Sequence, residues 1–339
     1  MSQNVRLYEI AKEAKVSPAT VSRVFMNKDC VRDETRKQVL SAAKSLGYEV
    51  KNNKQPEKDS RFIALFVGDI RNPFFSDMIF LLQEEFLKYD YVVVPFSNQF
   101  DREKEKRLFE QMRRDDYAAV VLFSSMDTET LEHIIDGLKC PVTLTDRVID
   151  GFKGNVVIQD NFQAGYIATK HLIDLGYHQI TFLAGNKTSA SSVSRVEGYK
   201  LALKNAFLPV EEDLIMYGEM SIRRGYEDGL KYIEKLEDLP RAVITANDMT
   251  GIGFLEACKE RHISVPNDIS IVSFDGIDLS GLKSINLTTV RQPIEEMARQ
   301  ICKLTVQSIE NPEVTRNNRV LLEPSLIIRG SACKNNRVN

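Results

Sequence analysis

From Phe62 to Phe274, short apolar runs alternate with longer stretches of helical periodicity. The first run, FIALFV at Phe62–Val67, is apolar throughout, as a strand buried on both faces of a parallel sheet must be. Parallel neighbours cannot be joined by a tight turn, so each strand needs a crossover, usually a helix. The same pattern predicts strands near residues 91–96, 118–123, 142–145, 156–158, 180–184, 215–217, 242–245 and 269–274. Helices are predicted between them, among them 77–89, 165–175, 197–205 and 250–260. About ten strands are more than one sheet of this chain length normally holds, so two lobes are expected.

Ahead of this body lies a different kind of segment, Leu7 to Tyr48. Leu7, Ile10, Ala11 and Ala14 recur at helical spacing. A turn at Val16 is followed by Ser17, whose hydroxyl can accept from the free N–H groups of a new helix, and by Pro18, whose missing N–H costs nothing at the first helical position. Val21 and Val24 are expected inward, leaving Thr20, Ser22 and Arg23 outside. A third helix is predicted from Arg32–Asp33 to Gly47, with Val39, Ala42, Ala43 and Leu46 inward. Three short helices of this kind can place the second in a major groove, where each base pair shows a distinct donor and acceptor pattern. The DNA-contacting set is expected to be Ser17, Pro18, Ala19, Thr20, Ser22 and Arg23. Arg23 reads a base, since its fork matches guanine O6 and N7; the hydroxyls hold phosphates; Pro18 and Ala19 shape the contact.

Charge divides along the same line. Residues 1–60 carry 12 lysines and arginines against 8 acids, a net of +4, and the remainder nets −7. A basic module on an acidic body suits nucleic-acid binding at one end. The five cysteines, Cys30, Cys140, Cys258, Cys302 and Cys333, have no C-x-x-C spacing, which disfavours a metal site or a disulfide framework and points to a reducing compartment. No apolar leader or membrane-length run is visible, so a cytoplasmic protein is expected.

The sequence V-S-x-x-T-V-S-R-V after an L-Y-x-I-A-x-x-A helix resembles the headpiece of the LacI/GalR family of sugar-responsive repressors. The resemblance implies an all-α helix–turn–helix headpiece at 1–49, a linker at 50–60, a two-lobed α/β effector-binding and dimerisation body at 61–330 like the periplasmic sugar-binding proteins, and a tail at 331–339. It implies chain crossings between lobes near Asp160–Asn161, Thr289–Gln292 and Leu321–Pro324. Its partners would be operator DNA, a small sugar effector and a second copy of the chain as a homodimer; some relatives also bind a phosphorylated carrier protein as corepressor. The linker, EVKNNKQPEKDS, departs from the family: it lacks the Pro-Asn start and the leucine that wedges into the minor groove, and carries Glu57 about where that leucine falls.

Ligands of open α/β sheets sit beyond the C-terminal ends of strands. Residues following strands here include Asn72-Pro73-Phe74-Phe75, Asp146-Arg147, Asn247-Asp248, Asp275-Gly276 and Gln292, with Arg195 opening a helix. Phe74 and Phe75 could form an aromatic plate for the C–H face of a sugar, and Asn72, Asp146, Arg147, Arg195, Asn247, Asp275 and Gln292 a ring for its hydroxyls. Taken singly, each has a plainer reading: a helix start for Pro73–Phe75, a solvated pair for Asp146-Arg147, a turn for Asp275-Gly276, a helix cap for Asn247. As a set, N-P-F-F, D-R, R-x-x-G, N-D, D-G and Q-P resemble the pocket of ribose repressors. A second aromatic plate is common there; Met220 stands in its place, which leaves fructose, as in sucrose-operon repressors, as the alternative to ribose. The four histidines share no motif, and no hydrolase, zinc or phosphate-loop signature occurs, so neither catalysis nor a cofactor is expected.

Overall fold

The computed structural model describes residues 2–25, 31–46, 60–112, 116–124, 126–145, 147–235, 237, 240–312 and 317–335. Gly47, Tyr48, most of the linker including Glu57, Cys30 and Asp146 lie outside the described residues. The chain forms two compact units, Met1–Ser60 and Arg61–Asn339.

The first unit has helices α1 (Ser2–Glu13), α2 (Pro18–Phe25) and α3 (Asp33–Ser45). Ile10, Ala11 and Ala14 meet Val21 and Val24 of α2 and Val39, Ala42 and Ala43 of α3 in one small core. Leu46, expected inward, is 47% exposed, because α3 ends at Ser45 and the chain has already left the apolar stripe. Ser17 Oγ accepts from the Thr20 N–H at 3.1 Å, the capping bond that its position before Pro18 suggested.

The second unit contains β1 (Phe62–Val67), α4 (Pro73–Leu87), β2 (Val92–Ser97), α5 (Arg102–Met112), β3 (Ala119–Phe123), α6 (Thr128–Asp136), β4 (Val142–Thr145) and β5 (Asn155–Gln159). Next come α7 (Asn161–Asp174), β6 (Thr181–Ala184), α8 (Ala190–Asn205), β7 (Ile215–Tyr217), α9 (Ile222–Glu234), β8 (Ala242–Thr245), α10 (Asp248–Glu260), β9 (Ser270–Asp275) and β10 (Thr288–Arg291). α11 (Ile294–Glu310), β11 (Arg319–Leu322) and β12 (Ser325–Ile327) complete it. Two six-stranded sheets result, ordered β11-β5-β4-β3-β1-β2 and β12-β10-β9-β8-β6-β7. Every pairing is parallel except β10 with β12. The chain passes between the sheets after Gln159, after Arg291 and after Leu322, within the three segments where crossings were expected.

Several boundaries differ from the sequence reading, three of them with consequences for the site or the body. α4 begins at Pro73, four residues before the predicted start, with Asn72 as its N-cap accepting from the Phe74 N–H at 3.1 Å. α8 begins at Ala190, capped by Ser189, so Arg195 lies inside a helix and not on the loop that opens one. Residues 331–335, beyond the expected end of the body, are tied to it: Ser331 Oγ donates to the Ile271 carbonyl at 2.7 Å, and the Cys333 N–H donates to Ser270 Oγ at 3.1 Å.

Helices α7 and α8 in the second lobe approach through glycine. A Cβ on Gly165 of α7 would lie 1.9 Å from the Arg195 carbonyl oxygen of α8, and one on Gly198 of α8 would lie 2.0 Å from the Phe162 carbonyl oxygen of α7. The backbones therefore touch, and this contact sets where Arg195 enters the lobe. Gly198→Ala should destabilise the chain by about 1–3 kcal/mol, the usual cost of overpacking. Thermal melting checks this; an unchanged melting temperature would mean that the α7–α8 contact is looser than described.

Candidate functional site

A small cavity of about 80 Å³ lies between the C-terminal edges of the two sheets. Its two walls differ in character. The first lobe contributes Phe74 and Phe75 from the first turn of α4, Phe100 from the loop after β2, and Phe123 at the end of β3. Phe75 meets Phe74, Phe100 and Phe123 with ring centroids 5.0, 5.9 and 5.8 Å away, a single aromatic cluster. The cluster fits because Gly68 has no side chain: a Cβ there would lie 2.4 Å from the Phe100 ring. Gln99 and Phe100 both adopt left-handed backbone, φ 57° and 59°, which turns the Phe100 ring inward.

The second lobe supplies the polar wall. Arg195 Nε donates to Asn161 Oδ1 at 2.9 Å, Nη1 donates to the Ala246 carbonyl at 2.9 Å, and the guanidinium lies 4.5 Å from the Phe274 ring centroid. Its Nη2 is 3.7 Å from Asp275 Oδ1, with both side chains almost fully buried. Gln292 Nε2 donates to the same carboxylate oxygen at 2.7 Å. Burial raises the Asp275 pKa, opposed chiefly by Arg195 and then by Gln292 and Asn72, whose interactions favour the charged form. Asp275 is itself held at φ 102°, the kind of strain that persists where surrounding structure over-determines it. Asn247 caps α10, its Oδ1 accepting from the Thr250 N–H at 2.9 Å, so the cap reading and the wall position coincide.

Of the ten predicted pocket residues, Asn72, Phe74, Phe75, Arg195, Met220, Asn247, Asp275 and Gln292 line this cavity together. Arg147 does not. It is buried behind the wall, where Nη1 donates to the Met126 carbonyl at 2.5 Å and Nη2 to the Ser124 carbonyl at 2.8 Å, so it props the loop carrying Ser124. Strand-end charges are usually solvated; this one is consumed by unsatisfied carbonyls. Asp146 lies outside the described residues.

Sequence reading missed Phe100, Phe123, Ser124, Gln159, Asn161, Asn186, Thr188, Ser189, Ser191 and Met297. Gln159 and Asn161 flank the first crossing, and that position was the available signal. Gln159 Nε2 donates to Asn161 Oδ1 at 2.8 Å, while Gln159 Oε1 is buried without a partner among the described residues. Such an atom costs about 1–3 kcal/mol unless something accepts or donates to it, so Gln159 Oε1 is suited to receive a ligand hydroxyl.

Behind the polar wall sits Asp248, which follows its strand as expected but was not placed in the hydroxyl-binding ring. Its carboxylate accepts from Thr289 Oγ1 at 2.7 Å and from the Ile277 N–H at 2.9 Å. Burial, with a contribution from Asp275, pushes its pKa up to about 7. An acid raised in the folded state contributes stability present below its unfolded pKa of 3.8 and lost as pH rises through 7. Asp248 should therefore lower the melting temperature from pH 4 to pH 7 relative to a chain without it, so Asp248→Asn should lose less stability across that window than the natural chain. An equal loss in the variant would assign the pH dependence to another group.

The first unit is similar to bacterial regulatory proteins of the lacI family over residues 6–50, and residues 169–332 match a periplasmic binding protein-like domain. The HTH-type transcriptional repressor PurR of Haemophilus influenzae (strain PittEE) is 30% identical over 330 residues, spanning 95% of this chain and 97% of its own. Among solved structures, the transcriptional regulator CelR in complex with cellobiose is 27% identical, with a TM-score of 0.73, over 96% of this chain and 99% of its own. A LacI family regulator from Enterococcus faecium with bound ribose is 26% identical, with a TM-score of 0.71, over 81% and 99%.

Proposed function

The chain belongs to the lacI family of bacterial regulatory proteins, and on that premise we propose that it represses a sugar-utilisation operon as a homodimer, under control of a neutral sugar held between its lobes. As a family member it is a sequence-specific DNA-binding transcriptional regulator, and its relatives are regulators and not enzymes. Among the described residues no helix is long and apolar enough to cross a membrane.

The observation that carries the sugar reading is the cavity's division into an aromatic wall and a polar wall around Arg195 and Asp275. A sugar has two faces of that kind: C–H groups that lie on rings and hydroxyls that want charged or amide partners. Ribose is the first candidate, supported by the matching N-P-F-F, N-D, D-G and Q-P segments and by the ribose complex of the Enterococcus regulator. Fructose is the alternative, since Met220 replaces a flat plate with a flexible one. Exposed apolar side chains, Phe80 on α4, Val92 on β2, and Leu279 and Leu282 after β9, support a second copy as partner.

The coupling is thermodynamic. A sugar alters operator binding only if it binds the two arrangements of the protein with different affinity. In the headpiece, Arg23 is exposed on α2 opposite the buried Val21 and Val24, which suits a base-reading role. Arg23→Ala should cost about 1–3 kcal/mol of affinity for a site selected from random DNA while leaving non-specific binding in place. A variant that footprints the same sequence with unchanged affinity would remove Arg23 from that role. Titration calorimetry with ribose and fructose tests the cavity: one of them should release heat, and Arg195→Ala should abolish it. No heat with any neutral sugar would sink the sugar reading.

A further inference from the structure

A second cavity, of about 190 Å³, adjoins the first, and Phe74, Asp275 and Gln292 line both. It opens where α4 of the first lobe faces the segment after β9 in the second. One carboxylate comes from each side: Asp77 from α4, and Asp278 from the turn after β9. They stand close enough that the Asp278 charge, after burial, raises the Asp77 pKa. Arg291, the cation among the lining residues, does not answer them, because its Nη2 donates to Glu295 Oε1 at 2.6 Å. Neither Asp77 nor Asp278 has an ion-pair partner among the described residues.

Exposed apolar side chains accompany the acid pair. Phe80 lines the cavity, and Leu279 and Leu282 follow Asp278 in the chain. Next to Leu282 stands Lys283, exposed and in no ion pair among the described residues. One stretch of surface thus carries two unanswered carboxylates and an unanswered ammonium, set among apolar groups. A second copy related by a twofold axis brings this patch against itself, so that what one copy offers the other receives. A face that holds both an acid pair and a spare base is complementary to its own copy. A metal ion is a poorer occupant, since no group of three or more ligating side chains that could hold one occurs among the described residues. Apolar groups around a charge pair exclude water and strengthen it.

We propose that, in the homodimer, the partner's Lys283 seats between Asp77 and Asp278, so that a single side chain of the second copy bridges both lobes. The proposal rests on the homodimer reading above and adds the contact that holds it. The twofold axis repeats the contact, once for each copy. Each seat answers a repulsion that the single chain leaves open, and it ties α4 to the turn after β9. Phe74, Asp275 and Gln292 line the effector cavity as well, so the seat and that cavity share a wall.

Sedimentation equilibrium of the full-length protein tests this, with circular dichroism to show that each variant is folded. Lys283→Glu sets a carboxylate against two others and should weaken the dimer by about tenfold or more, and Asp278→Lys should do likewise. Both changes in one chain restore opposite charges across the interface and should recover most of the lost affinity. Asp77→Asn should weaken the dimer about as much as Asp278→Asn, since the seat draws on both lobes. Should a reversal disturb the fold, Lys283→Gln removes the charge without adding one and should weaken the dimer in the same direction. A dimer indifferent to the Lys283 changes would overturn this contact and leave the homodimer reading standing. Failure of the double variant to recover would also overturn it, by placing the single effects elsewhere. Sensitivity to Asp278→Asn but not to Asp77→Asn would confine the contact to the second lobe and overturn the bridge. A natural chain that stays monomeric at micromolar concentration would overturn both this proposal and the reading beneath it.

Discussion

The buried pair of Arg195 and Asp275 is the interaction on which the body of this protein turns. Two charges taken out of water cost several kcal/mol each, and their attraction repays that only with good geometry and further hydrogen bonds. Here the supports come from around the site. Asn161 and the Ala246 carbonyl hold the guanidinium, the Phe274 ring lies beneath it, and Gln292 donates to the carboxylate. Asn161 opens the helix after the first crossing, and Gln292 follows β10 at the second. The pair therefore ties both crossings to one electrostatic centre. A ligand that changes how that centre is satisfied changes the segments about which the lobes would move.

The same logic explains Asp248. It accepts from Thr289 in β10, near the second crossing, and from Ile277, two residues after Asp275. A carboxylate with no view of solvent is retained there because it orients the strands that carry the ligand-facing groups. The glycine contacts at Gly165 and Gly198 serve the same end by steric means, since they seat α8, and hence Arg195, against α7.

Much of this was legible in the sequence, for identifiable reasons. Apolar runs spaced by helical stretches reveal parallel strands because burial on both faces leaves no room for polar residues. Ser17-Pro18 marks a helix start because capping chemistry is local. Asn72-Pro73-Phe74-Phe75 was legible twice over: the helix-start reading and the aromatic-wall reading are both true of the structure, since the first turn of α4 forms the wall. What could not be read depends on long-range packing. Phe100 reaches the cavity through two successive left-handed residues and the space left by Gly68. Arg147 follows a strand like the other candidates, yet two carbonyls of a distant loop claim it. Whether a strand-end charge faces a ligand or a neighbouring loop is decided by partners far away in sequence.

The headpiece and the body are separate units, and the function asks that one inform the other. The direct measurement is the affinity of the proposed effector sugar for the free protein and for the protein saturated with its operator, at one salt concentration because phosphate contacts make affinity salt-dependent. If sugar and operator are coupled through two arrangements of the body, the two sugar affinities differ, and the operator affinity shifts by the same factor when sugar is saturating. Equal sugar affinities in the free and operator-bound protein would contradict the account, since a ligand that does not distinguish the two states cannot control the switch between them.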